Sequence, residues 1–263
     1  MTFRRKALRI TLGTLIVYAL LVATHLGEFW PFSIYPMFSQ AGNPWSRAVV
    51  REMPPGTDSR GIANGLALMS AHQEQLESID LVLRRNETVT IRKNGTINYH
   101  SVTNETRIVS ADGTARTDGR TVVRDQGEIT ENTSRDVYYG GGPEYGTARI
   151  RQGNETTYSR VFATGEEQRP TLQYNFHGGE PTSATTVSGR DAIVFENVGV
   201  GQTGDARMVI DSRGLVHELQ YRYEVNISAD RQRVTRVSFD LEPRSNVTIE
   251  EPSWLDEAKN ATG

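Results

Sequence analysis

Residues 215 to 227 read LVHELQYRYEVNI, an order that no helix can accommodate. Leu215, His217, Leu219, Tyr221, Tyr223, Val225 and Ile227 fall on one parity, and Glu218, Gln220, Arg222, Glu224 and Asn226 on the other. Only an extended chain, whose successive side chains point to opposite faces, buries the first set while leaving the second in water. The segment therefore reads as a strand of a one-sided sheet, the arrangement that antiparallel sheets permit. A second run repeats the pattern: Ile79, Leu81, Leu83, Val89 and Ile91 alternate with Asp80, Arg84, Asn86, Thr88, Thr90 and Arg92, with Val82 out of phase.

Turn-forming pairs punctuate the chain at Asn94-Gly95, Asp112-Gly113, Asp118-Gly119, Gly153-Asn154 and Arg213-Gly214. Further strands are expected at 148–151, 156–162, 171–176, 191–198, 206–210 and 234–241. One helix should precede them. Thr57, Asp58 and Ser59 offer N-caps, and Ile62, Leu66, Met69, Leu76 and Ile79 offer an apolar face, with His72 at its surface or boundary. The expected fold is α+β and mostly β: a bent antiparallel sheet or open half-barrel over residues 58–258, with an N-terminal amphipathic helix packed on it. One transmembrane helix is expected ahead of this domain.

That helix is read from residues 10–26, ITLGTLIVYALLVATHL, an uncharged run that resumes at Phe29 and Trp30 and is just long enough to span a bilayer. A cleavable signal peptide has the same basic start and apolar middle. The best-placed small pair, Val17 and Ala19, would leave too short an apolar core, so an uncleaved signal anchor is favoured. Arg4, Arg5, Lys6 and Arg9 place the N-terminus in the cytoplasm and the rest outside the cell. Residues 1–30 are thus cytoplasmic tip and anchor, 31–57 a juxtamembrane segment and tether, 58–258 the external domain and 259–263 a tail. Trp30, Phe32, Tyr35 and Phe38, interrupted by Pro31 and Pro36, suit the headgroup level of a membrane. Residues 29–39 could alternatively dock another membrane protein.

An external address explains a second excess. Serine and threonine make up 44 of 263 residues, so chance places about two Asn-x-Ser/Thr sequons among thirteen asparagines. There are eight, at Asn86, Asn94, Asn104, Asn132, Asn154, Asn226, Asn246 and Asn260. They are glycosylation candidates; an alternative source is the ordinary abundance of Asn and Thr in turns and exposed strands.

Chemistry is less legible. Without cysteine there is no disulfide, thiolate site or thiol nucleophile. The net charge is −3, and the cations before residue 10 leave a body richer in acids than bases, so no nucleic-acid partner is expected. His177 opens HGGE, but its spacing to Glu180 matches no metal-ligand pattern, and His217 on an apolar face reads as a hydrogen-bonded core or rim histidine. GGGPEYG at 140–146 lacks the following helix that grips phosphate. No catalytic residues, metal site or cofactor are assigned, and an enzyme is not expected.

Two end segments, GLALMSAHQEQLES at 65–78 and TIEEPSWLDEA at 248–258, resemble the first helix and last segment of a haloarchaeal cell-surface lipoprotein family of unknown function. That family is similar in outline to the LolA/LppX lipoprotein and lipid carriers, and the resemblance implies a bent sheet cupping an apolar cavity plugged by helices. The family's lipobox cysteine is missing here, and the apolar anchor stands in its place. The expectation is a membrane-tethered external domain holding a lipid or lipid-linked apolar ligand, lined by Leu219, Tyr221, Tyr223 and Phe239. The same residues would equally fill an ordinary core, in which case the protein is a glycosylated structural or adhesion module.

Overall fold

The computed structural model describes residues 53–141, 145–162, 168–172, 176–201 and 204–262. The expected anchor, the aromatic residues Trp30, Phe32, Tyr35 and Phe38, and most of the tether lie outside them. Among the described residues no helix is long and apolar enough to cross a membrane.

After a two-strand hairpin, β1 (Thr57–Asp58) and β2 (Gly61–Ile62), comes helix α1 (Gly65–Glu77). Six strands then meander: β3 (Asp80–Lys93), β4 (Thr96–Val109), β5 (Thr114–Asp125), β6 (Glu128–Gly140), β7 (Gly146–Gln152) and β8 (Glu155–Val161). A second series follows: β9 (Phe176–His177), β10 (Glu180–Val187), β11 (Arg190–Val200), β12 (Gly204–Asp211), β13 (Val216–Ser228) and β14 (Arg231–Arg244), before helix α2 (Leu255–Thr262). The order β10-β11-β12-β13-β14-β3-β4-β5-β6-β7-β8 gives one open antiparallel sheet, with β9 added beside β11. The expected bent sheet with an N-terminal helix is the architecture found.

Two-residue turns set the register. Asn94-Gly95, Gln126-Gly127 and Ser188-Gly189 each place two consecutive residues at positive φ, which matches the right-handed twist of the flanking strands. Asp118-Gly119, expected as a turn, instead lies inside β5, where Asp118 pairs with Thr106 and Asp136. The sheet also curls. β13 and β8 are seven strand-to-strand steps apart, roughly 34 Å in a flat sheet at about 4.8 Å per step. Yet Leu219 and Tyr221 of β13 and Val161 of β8 line one cavity.

Helix α1 departs from its expected face. Asn64, not Thr57 to Ser59, caps it by accepting a hydrogen bond from the Ala67 N–H at 3.1 Å. Leu68, His72 and Leu76, spaced by four, are the buried stripe, while Leu66 is 70% exposed. Ile62 sits in β2 and exchanges backbone hydrogen bonds with Gly178 at 2.8 and 2.9 Å. A Cβ on Gly61 would fall 2.2 Å from the Gly179 carbonyl oxygen, so only glycine permits that approach.

His72 is a buried latch and not the expected surface or boundary residue. Its ring is 1% exposed; Nε2–H donates to the Pro170 carbonyl at 3.0 Å and Nδ1 accepts from the Val216 N–H at 3.1 Å. Both bonds require the neutral imidazole, and burial lowers its pKa to about 4. The other end of α1 is closed by Arg169, 4% exposed, which donates to the carbonyls of Leu76, Ile79 and Ser110. Thr171 and Leu172, expected to begin a strand, belong instead to this non-strand strap.

Helix α2 packs on the opposite face of the sheet. Trp254, Leu255 and Ala258 bury against Tyr138, with Tyr158 and Ile249 beside them. Asp118, Asp136, Arg149 and Tyr158 form one rung beneath, and Arg116 stands beside Tyr138 on the next. Asp136, 5% exposed, accepts from both arginines and from Trp254 Nε1–H at 2.8 Å, while Arg149 lies 5.2 Å from the indole centre. Asp80 pins the connecting segment to the sheet, accepting from the N–H groups of Val247 and Ala111, which hold its carboxyl below the usual range.

Candidate functional site

The inner face of the sheet is graded in two directions, and the register shows why. On the rung nearest α1 stand Leu81, Val109, Ala115 and Tyr139, all buried. Next come Leu241, Leu83, Arg107, Thr117, Val137 and Ala148. The third rung reads Leu219, Phe239, Arg85, Glu105, Gly119, Arg135, and the fourth Tyr221, Val237, Glu87, Thr103, Thr121, Thr133. Along the strands the face passes from covered to open. Across them it passes from apolar on β13 and β14 to polar on β4 to β6.

Between these walls lies a cavity of about 680 Å³. Its covered end is closed by the strap at 168–172. Arg107 donates to the Gln168 carbonyl at 3.2 Å and Thr117 to the Gln168 side chain at 3.3 Å, while Leu172 and Phe176 are buried beside them. On the polar wall Arg107 pairs with Glu105, Arg85 with Glu87 at 2.5 Å, and the hydroxyls of Thr103 and Thr121 meet at 3.0 Å. Of the residues expected to line a ligand site, Leu219, Tyr221 and Phe239 border this cavity. Tyr223 is one rung further out, between Gly204 and Thr235, and stacks on Tyr221 with ring centres 6.2 Å apart. The polar wall was not anticipated, because arginine and threonine on a strand read as a solvent face.

All eight sequon asparagines are exposed. Asn86 and Asn104 are register partners on β3 and β4 and hydrogen-bond to each other on the face away from the cavity; Asn94 occupies the β3–β4 turn and Asn154 the β7–β8 turn. Among the described residues the histidines stand apart from the cavity wall. His217, 1% exposed, donates from Nε2 to Asp211 at 3.2 Å. Burial pushes the Asp211 carboxyl up, but hydrogen bonds from His217, the Leu215 N–H and Arg190 outweigh it and hold it below the usual range. The His177 ring lies against Gly199. Among the described residues no group of three His, Asp or Glu side chains could hold a metal ion.

No protein-family model matches the sequence, and neither does any curated protein. Among solved structures, the chain is similar to a DUF1329 family protein from Desulfovibrio piger and to a putative outer membrane lipoprotein-sorting protein domain from Vibrio parahaemolyticus. Each has 12% identity and a TM-score of 0.27, covering 75% of this chain and 98% of that one. A β-barrel-like DUF1849 protein from Brucella abortus has 8% identity and a TM-score of 0.25, covering 64% of this chain and 99% of its own. Likeness at this level assigns neither family nor ligand, so the functional reading rests on the cavity.

Proposed function

We propose that this protein is a membrane-anchored, externally exposed binding domain that holds a lipid or lipid-linked apolar ligand in the concave side of its sheet. The cavity carries the proposal: at about 680 Å³ it falls within the roughly 300–1,000 Å³ typical of small-molecule sites. Its apolar wall of Leu219, Phe239, Tyr221 and Val237 faces a space that an ordinary core would have filled. That space favours binding over a structural or adhesion module with a packed interior. The role proposed is binding and not catalysis, since His72 and His217 are buried in latching bonds outside the cavity lining. The anchor at residues 10–26, with its basic flank, would tether the domain, and the exposure of all eight sequon asparagines suits an external, glycosylated surface.

Organic extraction and mass spectrometry of the purified protein should recover a lipid at one per chain. An empty protein that also fails to bind any apolar fluorescent probe would sink the binding role. A reporter fused behind Gly263 should be active outside the cell; activity confined to the cytosol removes the tethering.

A further inference from the structure

Resting on that reading, we infer that the ligand is an amphiphile with a single anionic head, seated over Gly119 beside Arg135, its apolar chain lying along Leu219, Tyr221, Val237 and Phe239. Charge points first to an anion. Five arginines but two glutamates line the cavity of a chain whose net charge is −3. Four of the five are engaged. Arg107 is held by Glu105 and the Gln168 carbonyl, Arg169 by three carbonyls, Arg85 by Glu87, and Arg120 by the Asn132 side chain at 3.0 Å. Arg135 has no hydrogen-bond or carboxylate partner among the described residues, and it is exposed.

Gly119 supplies the second, independent observation. It sits mid-strand as the register partner of both Glu105 and Arg135, where glycine weakens a sheet and where no left-handed backbone calls for it. A Cβ built there would meet nothing nearer than 3.6 Å, so the missing side chain leaves a notch in the cavity wall between Glu105 and Arg135. Glycine inside a strand commonly marks the close approach of another group. The same rung continues to Phe239 and Leu219 on the apolar side, so head and tail are offered in one line across the sheet. Glu105 is neutralised by Arg107, and Glu131, two rungs beyond Arg135, opposes a second negative group in that direction. One anionic oxygen head on one apolar chain satisfies all of these.

The test titrates the full chain with three fluorescent probes sharing one acyl tail: the carboxylic acid, its phosphate-headed counterpart and the methyl ester. One or both anionic probes should bind about tenfold more tightly than the ester, the size of one charge-assisted hydrogen bond. Arg135→Gln, at an exposed position, should reduce the anionic probes to the level of the ester and leave the ester unchanged. Equal binding of all three probes by the wild type, or anionic preference that survives in Arg135→Gln, overturns the head-group assignment while the apolar cavity stands. Failure of all three probes to bind overturns the cavity reading and this inference with it.

Discussion

Acid should unlatch α1 through His72. Val216 N–H donates to Nδ1 while Nε2–H donates to Pro170, a pattern open only to the neutral ring, so the folded protein resists protonation down to about pH 4 whereas the unfolded chain takes up the proton near 6.5. Between those values the unfolded state binds more protons, so the contribution of this group is complete above the unfolded pKa and is lost as pH falls towards the folded one. At about 1.36 kcal/mol per unit, the loss between about pH 7.5 and about pH 4.5 comes to about 2.5 kcal/mol. The carboxyls of Asp58, Asp80, Asp112, Asp211 and Asp230 are held below 3.8, so the stability they contribute is lost only at still lower pH. Urea unfolding at the two pH values measures the difference directly. His72→Leu offers neither the donor nor the acceptor and should cost about 1–3 kcal/mol at neutral pH by leaving buried backbone groups unpaired. Its further loss on acidification should be smaller than that of wild type by the same 2.5 kcal/mol or so. If wild type and variant lose equal stability across the interval, the latch does not titrate and the reasoning fails.

Gly119→Val should separate folding from binding. A β-branched residue in an open mid-strand position should leave stability unchanged or raise it by up to about 1 kcal/mol in urea unfolding, while filling the notch lowers probe affinity about tenfold or more. Asp136→Asn strips the charge shared by Arg116, Arg149 and Trp254 and should cost about 2 kcal/mol in the same assay, less than a fully buried pair because both arginines reach water. Glycopeptide mass spectrometry of natively produced protein should find several of the eight sequon asparagines occupied; bare peptides throughout would remove the glycosylated surface from the proposal.

How much of this the sequence disclosed depended on what each strand faces. β3 and β13 were legible because their inner residues are Leu81, Leu83, Leu219 and Tyr221, so burial and hydropathy agree. β5 and β6 were missed because their inward rungs carry Thr121, Thr133 and Arg135: a wet cavity wall erases the alternation that a dry core would write. Asp118-Gly119 carries the strongest short signal for a hairpin, yet its glycine serves space and not a turn. The α1 stripe was misplaced since its middle member is a histidine, and polarity at a single position outvoted the spacing of Leu68, His72 and Leu76. Arg169 and Asp136 gave no signal, because carbonyl oxygens and an indole N–H drawn from distant segments satisfy them.

The ladder between β3 and β14 has a kinetic consequence. Every other pairing in the eleven-strand path joins strands adjacent in sequence or separated by a short return, whereas Asp80–Lys93 must find Arg231–Arg244 across most of the domain. Local hairpins form first, and this seam, with its large loop-closure cost, should zip late. Because Arg85 and Phe239 meet across it, the apolar and cationic walls of the cavity come together only when the last ladder closes. A ligand of the proposed kind, binding only the joined walls, would then favour chains whose two halves have been paired in register.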